Sequence, residues 1–179
     1  PITQRLAANI VRPLLTELRE FVHEYMNMVL DHFDEWLEVE YVYAGMILPD
    51  GWKFLGAGIS RHAFLGPDGW VYKIGNSESN RRETDHSHLL YPHSDATLAF
   101  PYVEPVTDDY KIIRCEYIDG EFLSSDFGVP AEPGEREAWS GMNEHIGRIT
   151  RRYLGYTMFD IHTGNVCFVD GTPVFIDLG

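Results

Sequence analysis

Hydrophobic residues recur every three or four positions near the start of the chain, which is the spacing of an amphipathic helix. We predict helix over residues 3 to about 38, divided at Pro13 because a proline breaks the hydrogen-bond ladder behind it. The apolar stripe after that proline consists of Leu15, Leu18, Val22, Tyr25, Val29, Phe33 and Trp36. Residues 1–44 are therefore interpreted as a helical extension that covers the core. A homodimer or a partner contact through these helices is the alternative.

From Gly45 onward the pattern changes to short runs rich in β-branched and aromatic residues, separated by Gly, Pro and Asp. The runs are WKFLG, WVYKIG, YKIIRCEYI, VCFVD and PVFID. Residues 54–65 and 70–74 are joined by Gly-Pro-Asp-Gly and are predicted to form a hairpin. The segment VCFVDGTPVFID predicts a second hairpin near residue 179.

Two further helices are predicted among these strands. The first runs from Asn80, its expected N-cap, to Leu90, and Pro92 lies just beyond its end. The second runs from Glu135 to Leu154 and carries an apolar stripe at helical spacing. The pattern predicts an α+β protein with a helical extension at 1–44.

Composition narrows the classes of function. The net charge of −14 disfavours direct binding to nucleic acid, because basic residues are needed to displace counterions from phosphates. The sequence has no apolar run of membrane-spanning length and no basic apolar leader, so no membrane partner is expected. Cys115 and Cys167 lie in apolar runs and are interpreted as reduced thiols. We therefore expect a soluble cytoplasmic protein.

One group of chemically informative residues surrounds Lys73. In LGAGISRHAF, Gly56 and Gly58 can bring bare backbone close to phosphate groups, and Lys73 returns beside them across the hairpin. A lysine on a buried strand is costly unless it meets an anion. The next helix offers Glu83 as its partner, with Glu78 as the alternative if that helix begins earlier.

A second group lies in FDIHTGNVCFVDGTPVFID. Asn165 and Asp177 stand at the two ends of the second predicted hairpin and offer the oxygen ligands that Mg²⁺ prefers. Asp160 is then available to act on an acceptor hydroxyl.

Two other motifs are set aside. Asp126-Phe127-Gly128 has no strand leading into it and is interpreted as a loop. The histidines of H-x-H-x₄-H have no cysteine beside them and are interpreted as surface residues rather than zinc ligands. They are His86, His88 and His93.

The order of the two groups resembles the protein kinase-like fold over residues 52–179. More narrowly, GWKFLGAG, VYKIG and FDIHTGNVCFVDG are similar to the early host-takeover serine/threonine protein kinases of short-tailed bacteriophages. The resemblance implies a minimal kinase-like fold with a β-rich nucleotide lobe at 45–118 and an abbreviated helical second lobe at 119–179, which carries the catalytic loop and the magnesium aspartate. It also implies ATP- and magnesium-dependent phosphoryl transfer to Ser or Thr hydroxyls of host proteins in the bacterial cytosol.

The resemblance also implies a role for each matching residue. Gly56 and Gly58 would cover the nucleotide phosphates, and Lys73 would contact them while paired with Glu83. The remaining roles are an adenine-binding hinge at Glu116 and Tyr117 behind a gatekeeper Cys115, a catalytic base at Asp160, a phosphate contact at His162, and Mg²⁺ ligands at Asn165 and Asp177.

Departures from the family pattern define the alternatives. Arg61 stands at the third glycine position, so looser phosphate cover is expected. No activation segment follows Gly179, so the second lobe is expected to be abbreviated. One alternative is a catalytically impaired, acidic kinase-like protein that inhibits a host enzyme by docking. Another is a small-molecule phosphotransferase, since D-x-H-x-G-N also resembles aminoglycoside and choline kinases.

Overall fold

The computed structural model describes residues 51–57, 61–122, 133–158 and 161–179. The predicted helical extension at 1–44, with its proposed dimer contact, lies outside these residues, and so does the Asp126-Phe127-Gly128 segment. The three proposed domains therefore remain predictions. Among the described residues, no helix has both the length and the apolar character needed to span a membrane.

A five-stranded antiparallel sheet forms the first part of the described fold, with strand order β1-β2-β3-β5-β4. Its strands are β1 Lys53–Ala57, β2 Arg61–Leu65, β3 Trp70–Gly75, β4 Val103–Pro105 and β5 Ile112–Glu116. The turn between β2 and β3 is closed by the Gly66 N–H, which donates to the Trp70 carbonyl at 2.8 Å. Gly69 adopts a φ of +80° there, a conformation that favours glycine. The hairpin predicted across Gly-Pro-Asp-Gly is confirmed, and residues 53–65 contain two strands.

Helix α1, Ser77–Leu90, connects β3 to β4 across one face of this sheet. Its N-cap is Asn76, whose side chain accepts hydrogen bonds from the N–H groups of Glu78 and Ser79. The prediction of Asn80 as the cap is therefore wrong. Asn80 lies in the helix with its side chain fully buried, and its Nδ2 donates to the carbonyls of Tyr110 and Lys111.

Helix α2, Pro133–Leu154, packs with a second, three-stranded sheet. The strands are β6 Glu121–Phe122, β7 Val166–Val169 and β8 Thr172–Phe175, in the order β6-β7-β8. The main hydrophobic core joins α1, α2 and this sheet and consists of Leu90, Leu98, Phe100, Trp139, Ile146, Met158, Val166, Phe175 and Leu178. Burial of these side chains fixes the β7–β8 hairpin against the rest of the protein.

The predicted α+β class is confirmed by this architecture. Backbone hydrogen bonds tie β8 to the segment between α1 and β4. The Ala99 N–H donates to the Pro173 carbonyl at 2.8 Å, and the Ala99 carbonyl accepts from the Phe175 N–H at 3.0 Å. The end of β8 is thereby held close to α1 and β3, the two elements that carry Glu83 and Lys73.

Candidate active site

An ion pair between β3 and α1 lies at the centre of the candidate site. The Lys73 Nζ is 2.6 Å from Glu83 Oε1, and the Glu83 side chain is fully buried. Glu83 lies two turns into α1, whereas Glu78 is in its first turn and is exposed. Of the two partners that the sequence left open, the structure therefore pairs Lys73 with Glu83.

Arg61, the first residue of β2, completes the pairing of Glu83. Its Nη1 contacts Glu83 Oε2, so each oxygen of this carboxylate faces a different cation. The Nη2 of the same guanidinium donates to Asp177 Oδ1 at 2.9 Å. One arginine thus bridges a glutamate of α1 and an aspartate that follows β8. Sequence reasoning treated this position only as a missing glycine.

Asp177 is held by the same cations. Lys73 Nζ lies 3.9 Å from its Oδ1, and the backbone N–H of Gly179 donates to that oxygen at 3.2 Å. Burial alone would raise the pKa of Asp177, but Lys73, Arg61 and the hydrogen bonds outweigh it and hold the pKa below its usual value. Asp177 is therefore a carboxylate at neutral pH, as a metal ligand must be.

The two cations keep their charge for the complementary reason. Burial alone would lower the pKa of both Lys73 and Arg61, but the negative charges of Glu83 and Asp177 raise it above the ordinary value. The site therefore brings together two basic side chains, Lys73 and Arg61, and two acidic ones, Glu83 and Asp177. Cys115, predicted as the gatekeeper, is buried on β5 beside this cluster, and burial raises the pKa of its thiol to about 12.

Asn165 and His162 belong to a 3₁₀ turn, Thr163–Asn165, that leads into β7. His162 caps this turn, its Nδ1 accepting the Gly164 N–H at 3.1 Å while its carbonyl accepts from the Asn165 N–H. The Asn165 carbonyl in turn accepts from the Ile176 N–H at 2.8 Å. Asn165 is thus fixed opposite Ile176, one residue before Asp177, at the open end of the β7–β8 hairpin.

The predicted hinge begins at Glu116, the last residue of β5. The Glu116 N–H donates to the Tyr102 carbonyl at 3.1 Å, and the Tyr102 N–H donates to the Glu116 carboxylate at 2.9 Å. The N–H and the side chain of Glu116 are therefore both engaged within the protein. Tyr117 is more exposed, at 41% of its surface.

Three predicted site residues remain: the structure describes Gly56 but not Gly58 or Asp160. Gly56 lies on β1 where the register with β2 shifts, and a Cβ built there meets no atom within 4 Å. Protein packing therefore does not require glycine at this position. Gly58 and Asp160 lie outside the described residues, and their proposed roles remain predictions.

The donor set at the open end of the β7–β8 hairpin fits a hard divalent cation. Asp177 offers a carboxylate and Asn165 an amide oxygen, both of which suit Mg²⁺. No group of three or more His, Cys, Asp or Glu side chains is assembled as a metal site within the described residues. An ion held by these two residues would complete its coordination with phosphate and water, as Mg²⁺ commonly does.

His86 is a site residue that sequence reasoning missed. The interpretation of His86 as a surface histidine is wrong, because its side chain is buried, whereas His88 and His93 are exposed. Its Nδ1 donates to the carbonyl of Leu178 at 2.6 Å, and its Nε2 is in contact with the Tyr156 hydroxyl. His86 lies one turn after Glu83 on the same face of α1, and it holds Leu178, the residue next to Asp177. The three-residue spacing between Glu83 and His86 is the feature of the sequence that could have identified His86.

Comparisons with known proteins were made for sequence and for structure. No family model and no curated protein matches the chain. Solved structures of aminoglycoside phosphotransferases are similar at low identity. A streptomycin–ATP ternary complex of APH(2″)-IIa is 21% identical with a TM-score of 0.34, covering 48% of this chain and 29% of that one.

Two further structures of this kind match more of the chain. A gentamicin complex of APH(2″)-IIa is 13% identical with a TM-score of 0.44, covering 79% of this chain and 69% of that one. A GDP and kanamycin complex of APH(2″)-IIIa is 15% identical with a TM-score of 0.40, covering 87% and 72%. The chain spans less than a third of the first of these structures, so the activity and substrates of the whole enzymes are considered only as proposals.

Proposed function

We propose that the protein is an ATP- and magnesium-dependent phosphotransferase that acts on serine or threonine hydroxyls of proteins, the host proteins of an infecting bacteriophage being the expected acceptors. One observation carries the proposal: Lys73, Glu83 and Asp177, separated by up to 104 positions in the sequence, meet within hydrogen-bonding or ion-pair distance.

The roles follow from the charges. Lys73 would donate to the α and β phosphates of ATP while Glu83 fixes its position. Asn165 and Asp177 would hold Mg²⁺, which when bound neutralises charge on the phosphate oxygens. Gly56 and Gly58 would cover the phosphates with backbone, and the Glu116 carbonyl and Tyr117 would face the adenine.

The transfer itself needs a positioned acceptor. Its hydroxyl oxygen forms a bond to the γ phosphorus, the bond from that phosphorus to the β–γ bridging oxygen breaks, and ADP leaves. Asp160 would take the hydroxyl proton, and His162 would donate to the transferred phosphoryl group. The chemistry rests mostly on positioning and on charge stabilisation.

Phosphate incorporation by the variant Asp160→Asn tests the proposal. The wild-type protein, incubated with Mg-ATP and bacterial lysate, is expected to add phosphate to lysate proteins, and Asp160→Asn is expected to reduce incorporation by about 10²-fold or more. Binding of Mg-ATP should still raise the melting temperature of the variant, since ATP at 100 times its dissociation constant adds about 2.7 kcal/mol of stability.

Asp170→Asn is the matched control, because Asp170 is exposed in the β7–β8 turn at a φ of +50°, which asparagine also tolerates. Its incorporation should equal that of the wild type. Phosphate on added kanamycin or streptomycin instead of on protein would replace the protein acceptor by a small molecule. ATP binding without transfer would favour the docking inhibitor, and undiminished transfer by Asp160→Asn would remove the proposed base.

A further inference from the structure

Arg61 is the first residue of β2 and carries a largely buried side chain that leaves its own sheet. It lies opposite Gly75 of β3, and its side chain is only 12% exposed. Its guanidinium contacts Glu83 from α1 and Asp177 from beyond β8. The Arg61 side chain thus extends past Lys73, where the nucleotide phosphates are proposed to bind, to Asp177, the aspartate proposed to bind metal.

The charges of this cluster cancel. Arg61 and Lys73 contribute two positive charges, and Glu83 and Asp177 contribute two negative ones. A divalent cation arriving alone at Asp177 would meet an oxygen already bonded to Arg61 and would leave the cluster with a charge of about +2 over a few ångströms. Phosphate groups arriving with the cation would cancel that excess.

We propose that Arg61 is a phosphate-binding residue that takes the place of the divalent cation at Asp177 until nucleotide arrives. The inference rests on the proposed function, because it requires nucleotide phosphates at Lys73. As these phosphates enter, the Nη2 contact passes from Asp177 to a phosphate oxygen, while Nη1 remains on Glu83. Arginine suits this exchange because its planar fork can serve two anions at once.

Gly179 makes room for the guanidinium. A Cβ built on Gly179 would lie 2.3 Å from Arg61 Nη2 and 2.6 Å from Nη1, which is closer than real contacts allow. The Arg61 side chain is the flexible partner in that clash. Gly179→Ala is therefore expected to push the guanidinium away from Asp177 without removing its charge. This variant tests the position of the Arg61 guanidinium, whereas a substitution of Arg61 removes the guanidinium altogether.

Two binding measurements test the proposal. The first follows free Mn²⁺ by electron paramagnetic resonance in the absence of nucleotide, and the second follows ADP binding by calorimetry with a chelator present. Arg61→Gln is expected to bind Mn²⁺ about tenfold or more tightly than the wild type and metal-free ADP about tenfold or more weakly, the loss expected for a charged hydrogen bond. Gly179→Ala should also gain Mn²⁺ affinity but lose less ADP affinity.

Arg114→Gln is the matched control, because Arg114 is a half-buried arginine of the same sheet that pairs with Glu104 outside the site. Both of its affinities should equal those of the wild type. If Arg61→Gln does not fold, Gly179→Ala decides through its Mn²⁺ affinity alone.

Two results would contradict the inference, and they can be distinguished. Arg61→Gln with unchanged Mn²⁺ affinity, or with unchanged affinity for metal-free ADP, would mean that Arg61 is structural and would overturn this inference. The proposed function would survive that result, because the wild type would still bind ADP. A wild-type protein that binds no ADP, with or without Mn²⁺, would overturn both.

Discussion

Two ion-paired arginines of the same sheet differ in what surrounds them. Arg114 on β5 pairs with Glu104 on the neighbouring β4, its Nε 2.6 Å from Glu104 Oε1, and both side chains are about a quarter to a third exposed. Arg61 pairs with the fully buried Glu83, which Lys73 also contacts, and reaches on to Asp177.

The difference separates a pair that stabilises one sheet from a cluster that joins distant elements. Arg114 and Glu104 satisfy each other across adjacent strands, and the Arg114 guanidinium also stacks 4.6 Å above the Trp70 ring. The Glu83 cluster joins β2, β3, α1 and the segment after β8. Burying a carboxylate with two cations costs desolvation free energy, and hydrophobic side chains at the same positions would not cost it. A cluster that is retained despite this cost is a candidate for a functional role.

The largest effect is expected from Glu83→Gln. This change leaves Lys73 and Arg61 without the charge that balances them in a buried site, so the free energy of unfolding should fall by about 3–5 kcal/mol. Chemical denaturation measures it. Glu104→Gln, the same change in the half-exposed pair, should cost about 1 kcal/mol or less. Equal losses in the two variants would mean that the two regions do not differ as described.

A smaller effect is expected from His86→Phe. The change removes the donor to the Leu178 carbonyl and leaves the Tyr156 hydroxyl without its contact, so unfolding should become easier by about 1–3 kcal/mol. The control is His88→Phe on the same helix, where the side chain is exposed and a change within about 0.5 kcal/mol is expected. A loss confined to His88→Phe would show that the link from α1 to Leu178 contributes nothing.

The smallest effect near neutral pH is expected at Cys115. Its folded thiol has a pKa of about 12 and an unfolded thiol titrates at about 8.5, so this group lowers stability only as pH rises above that lower value. At pH 8 the native thiol should therefore resist iodoacetamide, as read from peptide mass, and Cys167→Ala gives a background with one cysteine.

The same thiol also reports on the charge balance of the cluster. Glu83 raises the pKa of Cys115 and the two cations lower it, so Glu83→Gln should make Cys115 react faster than in the wild type. Glu104→Gln should leave its rate unchanged. A wild-type rate equal to that of a free thiol would contradict the buried position of Cys115.

Much of the fold could be predicted because its signals are local. The Gly-Pro-Asp-Gly turn places β2 against β3, and the polar turn of VCFVDGTPVFID places β7 against β8. The start of α1 was predicted four residues late, because two asparagines, Asn76 and Asn80, stand near it and only the tertiary structure shows which one caps the helix. The Asn80 side chain instead donates hydrogen bonds to two carbonyls about 30 residues away in the chain, and a local sequence pattern cannot predict such a long-range contact.

The sequence alone placed Lys73 near the end of one strand and Glu83, ten residues later, in the following helix. A helix that folds back on the strand before it brings two such residues together. The sequence also identified the hairpin that carries Asn165 and Asp177. Only the tertiary structure decided that Arg61 and His86 belong to the same site, because their partners lie 22 to 116 residues away in the chain. Charge and burial act through space, so a residue that looks like a missing glycine or a surface histidine acquires its role only from the neighbours that folding brings to it.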